Sequence, residues 1–287
     1  MIVSELMGGM GNQMFQYALG RSLSIKNKTK LVLDTKFLLS RLPRQDFVYR
    51  NYDLDLFNIS VEFARDRISN KYGLDNQPRT KKCFSFDRLN YVTEQHFHFD
   101  PMVSNLGNNL YLNGYWQSEK YFKNIESIIR KDFTFKEPMS EKGLEMRDRI
   151  VNDNATCVNV RRGDFVANNI LGTVDLSYFD KAIKYLSSKI SNPVIYIFSD
   201  DIKWCEENLK TDHQSVIVGH EYAGAKFRNY FELMTLCKSF IIPNSTFAWW
   251  AAWLCKNPYK IVIAPKIWFR SQKYSSKDLV PESWVRI

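Results

Sequence analysis

The sequence predicts an α/β protein of two domains, and three observations carry that expectation. From about residue 155 to 264, short β-branched runs alternate with helical periods. That is the pattern of a parallel, doubly wound sheet. A strand–turn–helix–strand unit opens the chain. Its 287 residues also suffice for two domains of ordinary size.

The elements follow in order. Ile2–Leu6 reads as a strand, Met7–Gly11 as a flexible turn and Asn12–Ser24 as a helix, with Phe15, Leu19 and Leu23 at helical spacing. Lys30–Asp34 is the next strand. Residues 35–108 are rich in aromatics, Asn, Asp and Arg with weak periodicity, so loops and short elements are expected there. Asn109–Gly114 reads as a strand and Glu119–Lys131 as a helix. The charged stretch Glu137–Asn154 suits a linker helix, which places the domains at 1–149 and 150–287. In the second domain, strands are expected at Thr156–Val160, Pro193–Phe198, Ser215–Val218, Phe240–Ile242 and Lys260–Ala264. Helices are expected at Tyr178–Ile190, Ile202–Leu209, Phe227–Cys237 and Thr246–Leu254.

Composition narrows the function classes. Hydrophobic residues make up 45% and charged residues 25%, as in a soluble globular protein. The chain carries 40 Lys+Arg against 31 Asp+Glu, a net charge of +9, which favours anionic partners. The basic residues are dispersed apart from a short cluster at Arg79–Lys82, which argues against a nucleic-acid-binding face. Five widely spaced cysteines without a CxxC point to a reducing compartment, with neither a disulfide framework nor a zinc site. No stretch reads as a signal peptide or a membrane span. His96 and His98 alternate with Phe97 and Phe99, which suggests one strand face and not a metal pair.

Two turns at strand ends carry the chemistry. Asn159-Val160-Arg161-Arg162-Gly163-Asp164 delivers two guanidinium groups to the carboxyl edge of a sheet, where α/β folds bind ligands. Guanidinium forks suit phosphate, though an arginine cluster paired with Asp164 is the structural alternative. Asn244, Ser245 or Thr246 would cap a helix whose free N–H groups can hold a phosphate, or serve as an ordinary cap. Ser199-Asp200-Asp201 could hold Mg²⁺ with a diphosphate, but fits better as the cap of the helix from Ile202. Gly8–Gln13 only partly matches GxGxxG, and no Walker sequence is present.

Four segments together resemble the α-1,2-fucosyltransferases of glycosyltransferase family 11. They are Gly8–Ala18, Gly114–Phe122, Val160–Asp164 (the family's HxRRxD motif) and Asn244–Leu254, in family order. The resemblance implies a GT-B type fold, two Rossmann-like domains with a cleft between them, and GDP-β-L-fucose as donor, bound mainly by the C-terminal domain. It implies inversion without an obligatory metal and an acceptor 2-hydroxyl on a galactose, commonly in a surface polysaccharide or an oligosaccharide; a lipid-linked acceptor is an open alternative. No separate cofactor is implied, since GDP-fucose is a substrate. The protein would then work in the cytoplasm, with its positive charge favouring peripheral contact with the anionic inner face of the membrane.

Within that resemblance, Arg161 and Asn12 are the catalytic candidates. Arg161 would stabilise charge on the departing β-phosphate. Gly8, Gly9, Gly11, Gln13, Asn159, Arg162, Asp164, Ser199, Asn244, Ser245, Thr246 and Phe247 are assigned to the donor. The three glycines would allow close approach, and Asn12 and Gln13 would supply hydrogen bonds, although Asn12 could be a simple N-cap. Asn159 replaces the family's usual His, cannot titrate, and is assigned to donor positioning. That replacement keeps open a non-catalytic sugar-nucleotide or glycan-binding protein with a decayed site. Glu232 is weighed as a guanine contact, with an exposed helix carboxylate as the alternative. Asp164, Asp34 and Glu94 remain open as general bases.

Overall fold

The computed structural model describes residues 1–43, 48–64, 89–166 and 168–287; the Arg79–Lys82 cluster and Cys83 lie outside them. These residues form two compact units, Met1–Lys136 with Lys277–Pro281, and Glu137–Ser276 with Glu282–Ile287.

In the first unit, β1 (Ile2–Glu5) pairs in parallel with β2 (Leu31–Asp34) and with β5 (Leu110–Asn113). The edges are β3 (Glu62–Phe63) and β4 (Asn90–Thr93), giving the order β3-β2-β1-β5-β4. Helix α1 (Met10–Lys26) makes the first crossover, and its Phe15, Leu19 and Leu23 are buried at their helical spacing. β3 and β4 come from the region expected to hold loops and short elements, and neither shows an apolar alternation that a sequence reading could use. β4 reads Asn-Tyr-Val-Thr and leaves Tyr91 63% exposed. Short helices α2 (Lys36–Leu39) and α3 (Pro101–Ser104) follow β2 and β4. The single helix expected over 119–131 is instead two 3₁₀ turns, Glu119–Tyr121 and Lys123–Ile125, followed by α4 (Glu126–Asp132). His96 and His98 lie in a bend beyond β4, not on a strand face, with their rings stacked at 4.2 Å.

In the second unit, six strands run parallel in the order β11-β10-β9-β6-β7-β8. They are β6 (Ala155–Val160), β7 (Val194–Ser199), β8 (Ser215–Ile217), β9 (Ser239–Ile241), β10 (Val262–Ala264) and the unexpected two-residue β11 (Val285–Arg286). β6 and β7 are buried along their whole length, as central parallel strands with both faces covered must be. Helices α5 (Glu141–Asn152), α6 (Leu176–Ser187), α7 (Ile202–Asn208), α8 (Arg228–Leu236) and α9 (Thr246–Leu254) complete this unit. α6 packs Phe179, Ala182, Ile183 and Leu186 with Val158, Ile195, Ile197 and Ile241 from the strands. α5, placed in a linker by its charge, packs against α8 within the second unit. The chain returns to the first unit at 277–281, where Asp278 pairs with Lys120 at 2.7 Å and accepts from the Phe99 N–H.

Cys157, Cys205, Cys237 and Cys255 are free and buried. Burial pushes the Cys157 thiol well above its ordinary value, so it packs as a small hydrophobe. Among the described residues, no helix is long and apolar enough to cross a membrane.

Candidate active site

The second unit gathers its polar side chains at the carboxyl ends of β6 and β7. Arg161, just beyond β6, forms an ion pair with Asp164 through Nη2 and with Asp200 through Nη1, the latter at 3.0 Å. Its guanidinium lies over the Phe165 ring at 5.4 Å. Two carboxylates from different turns thus hold this cation at the sheet edge while 28% of its side chain stays exposed. Asp200 also accepts the Arg162 N–H at 2.9 Å. A β-carbon on Gly163 would collide with the Asp200 carboxylate, so a glycine is needed for this close approach.

Arg162, assigned to the donor, is held by other partners than Arg161 is. Its Nε donates to Asp201 at 3.2 Å and its guanidinium stacks over Trp204 at 4.1 Å, both on the β7–α7 side. Asp201 caps α7 by accepting from the Trp204 N–H. Ser199 is also spent on structure: it is buried, and its hydroxyl accepts from the Asp201 N–H at 2.9 Å. Asn159 is buried and donates to the Phe198 carbonyl at 3.1 Å, stitching β6 to β7.

Asn244 departs furthest from its expected role. Its Nδ2 faces the carbonyls of Leu171, Gly172 and Trp268 at 2.9, 3.1 and 3.0 Å, clamping two loops beneath α9. With its donors so engaged and only 3% exposed, it offers nothing to a phosphate. Ser245 is the N-cap of α9 by position but makes no side-chain capping bond. Thr246 and Phe247 form the first turn of α9, and Phe247 packs edge-on against Phe231. A helix start of this kind is where anions are commonly held. Glu232 is not a fully exposed carboxylate: it is half-buried and lies 2.9 Å from the Arg228 guanidinium.

The first unit builds a second cluster, around the β1–α1 turn. Gly8 has φ +77°, and a β-carbon there would strike Asn12. Gly9 is the N-cap of α1, and a β-carbon on it would meet nothing within 4 Å, which leaves this turn open to a ligand. Gly11 is buried in the first turn of α1. Asn12 is not an N-cap but lies inside that turn, where its Oδ1 accepts from Gln117 Nε2 at 3.0 Å.

Gln13 was expected to contact the donor, yet it is fully buried and its amide is used up. Nε2 donates to the Gly8 and Asn51 carbonyls at 3.0 and 2.8 Å, while Oε1 accepts from the Asp53 N–H at 3.0 Å. Gln16, which the sequence reading did not single out, acts alike. It donates to the Gly114 carbonyl at 3.1 Å and accepts from the Met7 N–H at 3.0 Å. The two glutamines brace the β1–α1 turn against neighbouring loops, and their presence together in Gly8–Ala18 was the available signal.

Of the possible bases, Asp164 is bound to Arg161, and Asp34 accepts from the Tyr111 hydroxyl at 3.0 Å and the Lys36 N–H at 2.9 Å. Glu94, just past β4, accepts from the backbone N–H groups of Tyr115 and Trp116 at 2.7 and 2.9 Å. Burial pushes its carboxyl up to about 7, against the pull of those two hydrogen bonds. Among the described residues, no group of three or more His, Cys, Asp or Glu is arranged to hold a metal ion.

Two parallel sheets flanked by helices, each with polar turns at its strand ends, define the class: a GT-B type α/β protein. FUT1 of Arabidopsis thaliana, solved in complex with GDP, has a similar fold at TM-score 0.51 and 9% identity, over 99% of this chain and 75% of that one. POFUT1, solved in complex with GDP-fucose, is similar at TM-score 0.50 and 13% identity, over 92% and 97%. The chain belongs to glycosyl transferase family 11, whose model matches residues 1–287, and it is a glycosyltransferase of that family. An alpha-1,2-colitosyltransferase of Escherichia coli is 31% identical over 100% of this chain and 98% of its own. The O-antigen biosynthesis glycosyltransferase WbnK of Escherichia coli is 30% identical over 99% of each. The galactoside alpha-(1,2)-fucosyltransferase 1 of Rattus norvegicus is 29% identical over 86% of this chain and 61% of its own.

Proposed function

We propose that the protein transfers L-fucose from GDP-β-L-fucose to the 2-hydroxyl of a galactose, inverting the anomeric centre to give an α-1,2 linkage. The acceptor would be an oligosaccharide or an O-antigen precursor. The observation that carries this reading is family membership over the whole chain combined with Arg161 held at the carboxyl end of β6. As the bond from fucose C1 to the β-phosphate oxygen breaks, negative charge gathers on GDP. A guanidinium fixed in advance by Asp164 and Asp200 lowers the energy of that state without reorganising. The first turn of α9 would hold the diphosphate through backbone N–H groups and hydroxyls. Gly8 and Gly9 would let the β1–α1 turn lie close to the sugar.

A screen of GDP-sugars against β-galactosides, with the product linkage determined, tests this. Transfer of fucose to O2 is the expected result; transfer to another position, or from no GDP-sugar, refutes it. A second donor has a specific observation behind it, the 31% identical relative named as a colitosyltransferase. Colitose lacks the 3-hydroxyl of fucose, so GDP-colitose belongs in the same screen.

The reading extends to metal and location. Activity should survive excess EDTA, since Arg161 supplies the positive charge. Loss on chelation that Mg²⁺ or Mn²⁺ restores would bring Asp200 and Asp201 in as ligands. The site of action would be the cytoplasm, with the net charge of +9 favouring the anionic inner face of the membrane. Sedimentation with anionic vesicles at low but not high salt would support that location, and no binding at low salt would remove it.

A further inference from the structure

The first unit contains a cavity of about 340 Å³ between β4 and α3, and none of its lining residues is among those assigned above to the donor. Tyr91, Glu94, Met102, Val103, Trp116 and Tyr121 line it. Its volume is in the range of small-molecule sites.

Three features show that it is built to take a ligand. Trp116 is 1% exposed, yet its indole N–H is buried without a hydrogen-bond partner among the described residues. A buried donor left unpaired is unfavourable, and a ligand oxygen would satisfy it. The Glu94 carboxylate meets the indole over Gly114. A β-carbon on Gly114 would stand 2.4 Å from Glu94 Cβ, 2.9 Å from Trp116 Cε2 and 3.0 Å from Glu94 Oε2. Only a glycine at 114 lets the Glu94 side chain and the Trp116 ring pack this closely, and both residues line the cavity. Trp116 also has φ +57°, unusual for a bulky residue, and the N–H groups of Tyr115 and Trp116 on Glu94 hold that turn.

The lining selects the ligand class. Neither Lys nor Arg is among it, and Glu94 and Asp100 outnumber its one basic side chain, His96, so the lining disfavours a phosphate. A neutral polyol can donate to Glu94 and accept from Trp116. Its C–H face can lie on an aromatic ring such as Tyr91, which stacks on Tyr111 at 4.8 Å and is 63% exposed. We propose that this cavity binds a pyranose ring of the acceptor glycan, with Glu94 accepting from one hydroxyl and the Trp116 indole N–H donating to a second oxygen. This deepens the reading of the chain as a glycosyltransferase acting on a sugar hydroxyl, and rests on it for the choice of sugar.

The test is binding, measured apart from turnover. Saturation-transfer NMR with methyl β-galactoside, in the presence of GDP, is applied to the full chain and to two variants. Trp116→Phe removes the N–H and keeps an aromatic ring, while Met102→Trp fills the cavity from a position 72% exposed, where folding tolerates it. Thermal melting confirms that each variant is folded. Transfer to the sugar protons in the wild type, at least about fivefold weaker in Met102→Trp and clearly reduced in Trp116→Phe, is the expected result. No transfer to the wild type, or equal transfer to folded Met102→Trp, overturns the proposal. Hydrolysis of GDP-fucose without acceptor is followed in parallel. Its loss in the wild type would count against the donor reading, while the NMR result still decides the cavity.

Discussion

Replacing Gln13 with Met separates a strut from a ligand contact. The side chain is fully buried and makes three hydrogen bonds, to the Gly8 and Asn51 carbonyls and from the Asp53 N–H. Methionine has nearly the same length and volume, so the packing term stays small. The loss is polar. Each such bond contributes about 1 kcal/mol, and the three backbone groups left behind are partly cut off from water, which raises the total to about 3–5 kcal/mol. For a domain of this size that corresponds to a fall in Tm of about 10 °C. The assay is calorimetry of the full chain, with hydrogen exchange of the Asp53 amide as a local readout, since the freed N–H should exchange faster. A Tm within about 2 °C of wild type together with unchanged exchange at Asp53 would refute the strut. It would return Gln13 to the ligand.

Arg161→Ala should cut kcat by about 10²–10³ while Tm changes little, and turnover above a tenth of wild type in a folded variant would remove Arg161 from the leaving-group role. Gly8→Ala forces a side chain into φ +77° and against Asn12, so it should lose about 1–3 kcal/mol in chemical denaturation, and a neutral result would contradict the geometry of this turn. Glu94 has a folded-state value of about 7 against an ordinary 4.5, so the folded chain binds its proton more tightly than the unfolded chain does. Stability contributed by this group is therefore full below about 4.5 and falls as pH rises to about 7, by no more than about 3 kcal/mol, less the screening of a half-buried site. Thermal melts of wild type and Glu94→Gln across that window check the sign, since the difference between them should change between these values and level off above.

Much of the fold was legible because its period is local. β6 and β7 are continuous apolar runs, since a central parallel strand is covered on both faces. α6 shows its buried stripe at helical spacing. β3 and β4 carried no such signal. They are short edge strands stabilised by their neighbours, and Asn90–Thr93 is ordered by pairing with Leu110–Asn113. The charge of α5 read as a linker, although three residues on one face, Gly143, Met146 and Ile150, are enough to seat it in the second unit.

By itself the sequence determined the class of chemistry, because arginines at a strand end, a glycine turn and a hydroxyl-rich helix start are contiguous in the chain. Which partners hold each of those side chains was decided only by tertiary structure. Arg161 and Arg162 are adjacent, yet one is held between Asp164 and Asp200 at the sheet edge and the other lies on Trp204. Gln13 and Asn244 sit in the motifs but direct their amides at backbone carbonyls up to 73 residues away in sequence. A buried amide must satisfy its donors wherever the fold brings acceptors within reach. No spacing along the chain records which acceptors those will be.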